Sequence, residues 1–581
     1  MNITSIKRKP SVEKPWLKLY PNGIPDISLI DCSLNCFLKR SNEGHMEDIA
    51  LEYFGNTVTF AQFFNNINQT ADACIKLGVK KGDIVTICSV MTPEIVYIFY
   101  ALDLIGATPN MVDPRTSSKG IHHYIEEVNS EIVCTLDVAY PKIKKAVKGT
   151  DVNKVIVVSP SDSLKGIAKI LYKFSTPDKN EYESNIIRWC DFFAMGDKAK
   201  SFDDNENYNH DSPAIILHTG GTTGTPKCVM LSARSLNALA VQYGINGFER
   251  NQKFLDVMPP FIAYGFACGV HTPLSQGVRS ILVPNVENDK LASLILKHKP
   301  NHMAGVPLHY QTIIKSPKLA NADLSFLLTS GVGGDSMSVG VENEVNEFLK
   351  AHGCKYPVCK GYGMTEVSST ATTCMGNNNK VGSVGFPLCF TTVSIFKPNT
   401  NEELSYNQEG EICITGPNTM LGYYGKPAET ANIMKIHSDG RVWIHTGDIG
   451  SMDEDGYLFL KSRIKRVIIR HDGFKVYSTS IEDVVSTHND VEFCSVVAVK
   501  DREHLQGNLP FLFVVWKNDM TNSVENAETE LEELCKNELA EYTLPVGYKT
   551  VESLPYTGIG KIDYKKLEKQ AEEIMSNRVC V

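Results

Sequence analysis

No stretch of this 581-residue sequence is apolar for long enough to cross a bilayer; the best candidate, Ile95–Ile105, is about half of the ~20 residues a spanning helix needs. That segment reads as a buried helix. Long basic tracts are also lacking, since the net charge of −9 comes from interspersed acidic and basic residues, and nucleic-acid phosphates call for clustered cations. Nucleic acid is therefore not expected as a partner. The sixteen cysteines show no disulfide-framework spacing, and Cys32 with Cys36, or Cys354 with Cys359, has neither CxxC spacing nor a matching second half, so no zinc knuckle is expected. Met1 to Pro10 carries charges with no apolar stretch behind them, so no secretory leader is expected and a reducing cytoplasm fits best. There is no internal repeat and no low-complexity tract.

What is present is the composition of an ordinary globular enzyme, 42% apolar and 22% charged. The chain exceeds the roughly 250–300 residues at which single cores stop growing, so at least two domains are expected. From Asp83 the order is an apolar strand Ile84–Val90, a proline-led helix Pro93–Ile105 and a strand ending at Asp113-Pro114. Strand–helix–strand order implies parallel pairing. Lys154–Val158 and Ala214–Leu217 read as further strands, and Leu324–Thr329 as one leading into a helix around Val339–Ala351. After Asp448 the texture shortens. Turns at Asp453–Gly456 and His471-Asp472-Gly473 mark hairpins, and a helix follows with a capping box Thr479…Glu482. Strands Cys494–Val499 and Phe511–Trp516 come next, then a charged helix near Glu528–Glu541. The expected architecture is a large α/β N-terminal body, 1–462, and a small α+β C-terminal domain, 463–581.

Residues Leu164–Phe174 place Ile167, Ile170, Leu171 and Phe174 on one helical face with lysines elsewhere. Such a segment packs on the body or lies on an anionic membrane surface; peripheral membrane contact stays open on sequence alone.

The most informative stretch is Thr219-Gly220-Gly221-Thr222-Thr223-Gly224-Thr225-Pro226-Lys227, directly after Ala214–Leu217. Glycines let backbone amides turn toward an anion, threonines add hydroxyls and the lysine adds charge, which makes a phosphate cradle. The Gly-Lys-Ser/Thr ending of a Walker A loop is absent. Alone, the stretch is also what a polar surface loop looks like; the motifs downstream favour phosphate. They are Gly361-Tyr362-Gly363-Met364-Thr365-Glu366, Trp443-Ile444-His445-Thr446-Gly447-Asp448, then Arg463 and Lys465 with the turn Asp472-Gly473-Phe474-Lys475, and Leu554–Ile562 with Lys561 between glycine-bracketed turns.

In this order the motifs resemble the signature of the adenylate-forming superfamily, which includes acyl- and aryl-CoA synthetases and peptide-synthetase adenylation domains. The resemblance implies a two-domain acyl-CoA synthetase-like fold with a hinge at Lys465. It implies that Thr219, Gly220, Gly221, Thr222, Thr223, Gly224 and Lys227 bind the nucleotide phosphates. Gly361, Tyr362 and Gly363 would belong to the nucleotide site, with Tyr362 packed against adenine; Thr365 would meet the α-phosphate and Glu366 would bind Mg²⁺. Asp448 would clamp ribose, and Arg463 would reach ribose and phosphate. Lys561 would bridge the substrate carboxylate and the α-phosphate, and Gly473, Phe474 and Lys475 would cover the channel of coenzyme A. The implied reaction joins a carboxylic acid to a thiol through an acyl-adenylate, with ATP, Mg²⁺ and coenzyme A. The opening Lys14–Pro21 and the basic insert before residue 175 look most like long-chain fatty acyl-CoA synthetases.

An acyl wall is expected from Tyr264, Gly265, Gly331, Gly333 and Gly334, where glycines leave room for a chain; they could equally serve only the strand-to-helix turn. Cys228 stands where relatives usually have glycine, Ala233 where they have histidine, and Pro260–Gly265 lacks the histidine many carry beside the acyl and thiol channel. Lys360 adds a charge close to the presumed nucleotide. The acceptor therefore stays open between coenzyme A and a carrier-protein pantetheine, and the acid between alkyl and aryl. A non-catalytic nucleotide-binding homologue is disfavoured because Glu366, Asp448, Arg463 and Lys561 are all retained.

Overall fold

The β-branched run Ile84–Cys88 becomes the centre of an eight-stranded sheet, paired in parallel with Thr108–Val112 on one side and Ile132–Leu136 on the other. The computed structural model describes residues 8–20, 23–166, 169–170, 172, 182–219, 227–245, 247–284, 287–463, 466–472, 474–504, 506–518, 520, 523–556 and 562–578. Strand order in this sheet is Gly422–Tyr423, Lys227–Ser232, Pro213–Thr219, Thr108–Val112, Ile84–Cys88, Ile132–Leu136, Lys154–Val158, Ile186–Arg188. The first strand ends at Cys88, not Val90, because the chain must turn before Pro93, which opens the helix Pro93–Ile105. Gly106, in the left-handed region at φ 73°, stops that helix. It is buried all round, Glu94 included, with Asp103 alone partly exposed.

A nine-stranded sheet packs on the opposite side of this core, running from Phe386–Pro387 through Cys359–Tyr362, Thr329–Val332 and His302–Gly305 to Ile49–Tyr53 and Asn56–Thr59. Side chains from both sheets and from the helices Phe60–Leu77, Pro93–Ile105 and Ala233–Gly244 meet in one apolar cluster. The strand expected at Leu324–Thr329 lies further on, at Thr329–Val332, where parallel register with His302–Gly305 pairs it; Leu324 and Leu327 are instead buried loop anchors. A five-stranded sheet completes the body, with Val442–Met452 at its centre and Leu458–Arg463 folded back on it through the expected turn. The opening segment seals that sheet: Trp16 is fully buried beside Phe386 and Ile395, and a Cβ on Gly456 would stand 2.9 Å from it.

The C-terminal domain has its own cores. In the paired strands Val491–Lys500 and Asn508–Trp516, Val496, Leu512 and Val514 face the helices Ser478–Val485 and Val524–Glu538, while Val497, Val499, Phe511 and Phe513 face Tyr564–Arg578. This is the two-residue alternation of a strand covered on both faces. The charged helix starts at Val524, ahead of the expected Glu528, because Ser523 accepts from the Asn526 N–H. The capping box at Thr479…Glu482 does not form. The helix starts at Ser478, and Glu482 is drawn instead to Arg466 at 2.8 Å and to the Val496 N–H at 2.8 Å. Of the amphipathic insert, Leu164 is buried and Ile170 exposed, while Ile167, Leu171 and Phe174 lie outside the described residues. No helix among the described residues is long and apolar enough to cross a membrane.

Glu94, in the first turn of the buried helix, is 1% exposed and receives a hydrogen bond from Ser163. Burial pushes its carboxyl up to about 7. A folded-state pKa above the unfolded one leaves stability untouched below about pH 4.5, erodes it as pH rises and leaves the full penalty above pH 7. Glu94→Gln is expected to melt close to the native chain at pH 5 and to gain on it by about 3 kcal/mol at pH 8. Urea denaturation at the two pH values measures this; an unchanged difference refutes it.

Candidate functional site

The antiparallel pair Pro213–Thr219 and Lys227–Ser232 sets Thr219 opposite Lys227, so the strand ends bring together the two termini of the glycine-rich loop. The Lys227 N–H donates to Thr219 Oγ1 at 3.3 Å. Gly220, Gly221, Thr222, Thr223 and Gly224 lie outside the described residues. The Lys227 ammonium is 2.7 Å from Glu429 and 4.6 Å above the ring of Tyr423, a charge pair plus a cation–π contact.

The same tyrosine reaches the second motif. Its hydroxyl donates to Glu366 Oε1 at 2.7 Å, so Lys227 and Glu366 stand on two sides of one side chain. Glu366 is 6% exposed, and burial raises its carboxyl above the usual range, opposed by the Tyr423 hydrogen bond and by the charges of Arg463 and Lys227. Gly363 makes the bend possible, since a Cβ there would stand 1.9 Å from the Ser369 carbonyl oxygen. Thr365 opens the short 3₁₀ turn that carries Glu366. Gly361 lies in the strand before it, paired with Thr373.

Asp448 is the third component. Tyr362 donates to its Oδ2 at 2.7 Å, and Arg463, directly opposite in the strand pairing, places Nε 3.0 Å from Oδ1. Asp448 is 4% exposed whereas the arginine side chain is half exposed. Gly447, at φ 72°, turns the chain before it. Its N–H donates to Glu411 at 3.1 Å, and Glu411 also meets His445 at 2.9 Å. Tyr362 thus joins the second and third motifs, and Tyr423 joins the first and second.

Behind this row the glycines expected to wall an acyl channel differ among themselves. Gly265 is needed by a close backbone approach, a Cβ there meeting the Pro259 carbonyl oxygen at 2.0 Å, and Gly334 by its φ of 82°. Gly331 faces the Met303 carbonyl at 3.2 Å, and Gly333 faces the ring of Tyr264 at 3.5 Å. Next to them a cleft opens between Val306, Asp335 and Ser336 of the large body and Tyr556, Ile562 and Tyr564 of the small domain. Tyr556 and Ile562 pair across the loop that contains Lys561, which itself lies outside the described residues, as do Lys465 and Gly473. Phe474 is 54% exposed with its ring 4.9 Å from that of Tyr542, and Lys475, described along its backbone only, opens the strand Lys475–Tyr477.

The family model for AMP-binding enzymes matches residues 38–424, and that for the AMP-binding enzyme C-terminal domain matches residues 480–561. The chain belongs to the AMP-binding enzyme family. It is similar to a long-chain-fatty-acid–CoA ligase of Bacillus subtilis (strain 168), 29% identical over 97% of this chain and 99% of that protein. Probable 4-coumarate–CoA ligase 2 of Dictyostelium discoideum is 30% identical over 87% of this chain and 88% of its own length. Two solved structures share the fold, a large N-terminal and a small C-terminal domain. The anthranilate CoA ligase AuaEII in complex with anthranoyl-AMP gives a TM-score of 0.82 at 18% identity, covering 95% of this chain and 100% of its own. ATP-bound MatB from Rhodopseudomonas palustris gives 0.80 at 21% identity, covering 93% and 99%.

In this AMP-binding enzyme the sequence reading passed over Tyr423 and Glu411. Neither carries a local signal, because each reaches the site through strand pairing, Tyr423 opposite Val229 and Glu411 opposite Ile449. The reading of Lys360 needs correction. Its ammonium is not a free charge beside the nucleotide motifs; it is buried in an ion pair with Glu342, which is fully buried and also accepts from the Gly382 N–H at 2.9 Å. Removing one partner strands a buried charge. Glu342→Ala is expected to lower stability by about 3–5 kcal/mol, and Glu342→Leu combined with Lys360→Met to recover most of it. Chemical denaturation of the two variants decides; equal losses refute the pairing.

Proposed function

We propose that this AMP-binding enzyme, an acid–thiol ligase, activates a fatty acid as its acyl-adenylate with release of pyrophosphate and transfers the acyl group to coenzyme A. The observation that carries the reading is the row Lys227–Tyr423–Glu366 beside Tyr362–Asp448–Arg463, a cation and two buried carboxylates held by two tyrosines. A carboxylate is a poor acyl donor because oxide is a poor leaving group, and adenylation replaces it with a stabilised phosphate. Two anions must be brought together for this, so the work is mostly positioning and charge neutralisation.

In this reading Lys227 and the loop Thr219–Gly224 hold the phosphates, Asp448 accepts from the ribose hydroxyls and Arg463 spans ribose and phosphate. Glu366, with the Thr365 hydroxyl beside it, offers a hard oxygen donor set that fits Mg²⁺, an ion that keeps most of its shell for water and phosphate. When bound, Mg²⁺ would supply charge neutralisation on the triphosphate. Lys561, on the loop bracketed by Tyr556 and Ile562, reaches the substrate carboxylate and the α-phosphate. The small domain, taken as 463–581 against a body of 1–462, turns about Lys465 for the second step. It then brings Gly473, Phe474 and Lys475 over the thiol channel while Tyr264, Gly265, Gly331, Gly333 and Gly334 wall the acyl chain. The fatty-acid choice is supported by the Bacillus relative, which is matched over 97% of this chain and 99% of its own length. The reading places the enzyme in the cytoplasm.

Lys561→Ala is expected to lower acid-dependent pyrophosphate exchange by on the order of 10²–10³ while leaving thioester formation from preformed acyl-adenylate within about threefold. Equal loss in both steps refutes the two-conformation reading. Exchange measured with fatty, 4-coumaric and anthranilic acids, each with and without coenzyme A, identifies the acid; exchange without coenzyme A thioester points to a carrier-protein acceptor.

A further inference from the structure

His471, Asp501 and His504 meet in the small domain, on the turn that leads to Gly473 and Phe474 but with no part in the adenylation reading. His471 lies in the turn between Val467–Ile469 and Lys475–Tyr477, Asp501 directly follows the strand Val491–Lys500, and His504 stands in the loop that leads to Asn508. Both imidazoles place Nδ1 2.9 Å from the same oxygen, Asp501 Oδ2. Their rings are face to face, centroids 3.3 Å apart and 5° from parallel. The three atoms lie within 4.8 Å of one another. Ligand atoms on a tetrahedral zinc ion stand about 3.3 Å apart, so the spacing suits one once the two imidazoles tilt from parallel and their in-plane lone pairs converge.

The cluster is supported from behind. Asp501 is 2% exposed at its side chain, and its other oxygen, Oδ1, accepts from the Glu503 N–H at 3.1 Å. That bond aims Oδ2 at the imidazoles, the kind of outer contact that orients metal ligands. The loop closes through the Asp501 N–H to the Gly507 carbonyl at 3.1 Å, and Gly507, at φ 112°, lies so close that a Cβ would stand 2.4 Å from the His471 nitrogen. The histidine side chains are 27% and 44% exposed, which leaves a way in for an ion and its water. Two imidazoles and one carboxylate suit a borderline cation such as Zn²⁺ and not Mg²⁺. Two other groupings are less available. At His218 both ring nitrogens are engaged, by Asn110 and Cys228, and Glu127 is paired with Lys426. At His445 both ring nitrogens are engaged, by Glu411 and His437, and the grouping is buried.

We propose that His471, Asp501 and His504 bind a divalent transition-metal ion of the Zn²⁺ class through both Nδ1 atoms and Asp501 Oδ2, with water completing the shell. Each neutral imidazole then keeps its proton on Nε2. The ion cross-links the Arg470–Phe474 turn to the 501–507 loop and stiffens the segment that presents Phe474.

The test uses the full-length chain without an affinity tag, freed of metal by chelator, and titrated with Co²⁺ and then Zn²⁺. Expected are visible tetrahedral Co²⁺ bands at one equivalent with no thiolate charge-transfer band, loss of the bands on adding Zn²⁺, and binding weakened on the order of a hundredfold in His504→Gln. Slower amide exchange of the 470–474 turn on Zn²⁺ binding supports the cross-link. Absence of the bands overturns the proposal, as does a thiolate charge-transfer band, which moves the ion to a cysteine-containing cluster. Undiminished binding by His504→Gln overturns it too. Because His504 is exposed, its variant keeps the fold, and the native spectrum decides in any case.

Discussion

A carboxylate removed from water must be given a cation or hydrogen-bond donors, and the region around the candidate site is arranged around four such groups. Glu366 has Tyr423, Asp448 has Tyr362 and Arg463, Glu342 has Lys360 and the Gly382 N–H, and Glu411 has His445 and the Gly447 N–H. The first two carry the proposed chemistry. The other two anchor the backbone beside them: Lys360 is two residues before Tyr362, which donates to Asp448, and Gly447 immediately precedes Asp448. The site and its scaffold are thus parts of one buried electrostatic arrangement.

That arrangement accounts for the unequal exposure of the charged groups. Asp448 and Glu366 are buried, whereas Arg463 is half exposed at the end of the strand Leu458–Arg463. The anionic groups are held rigidly by tyrosine hydroxyls on sheet elements, and the cations beside them come from strand ends and loops. Arg466, just past the link, stacks on the Tyr564 ring at 3.8 Å and pairs with Glu482, so the small domain grips the chain directly after the proposed hinge. A domain holding its own end of a linker while the body holds the other can turn as a unit.

Much of this was legible in order. The proline-led helix Pro93–Ile105, the strand Lys154–Val158 and the helix Val339–Ala351 fall where periodicity and punctuation put them, and family membership follows from motifs read in sequence. The errors have a common cause. Thr479…Glu482 fits a capping box, yet Glu482 is better satisfied by a half-buried arginine sixteen residues back. Leu324–Thr329 is a plausible strand, yet pairing register moves it on to Thr329–Val332. Lys360 looks like a charge for the nucleotide until Glu342 is found beneath it.

The amino-acid sequence by itself determined the fold class, the alternation of strands and helices and the identity of the polar motifs, because these depend on local periodicity, turn chemistry and residue type. Only the tertiary structure decided which motifs share a side chain. Tyr423 bridges Lys227 to Glu366, Tyr362 reaches Asp448, and His471 meets His504 across Asp501. The physical reason is that partners 33 to 196 positions apart are joined by sheet pairing and burial, and a buried charge takes whichever donor the packing brings to it.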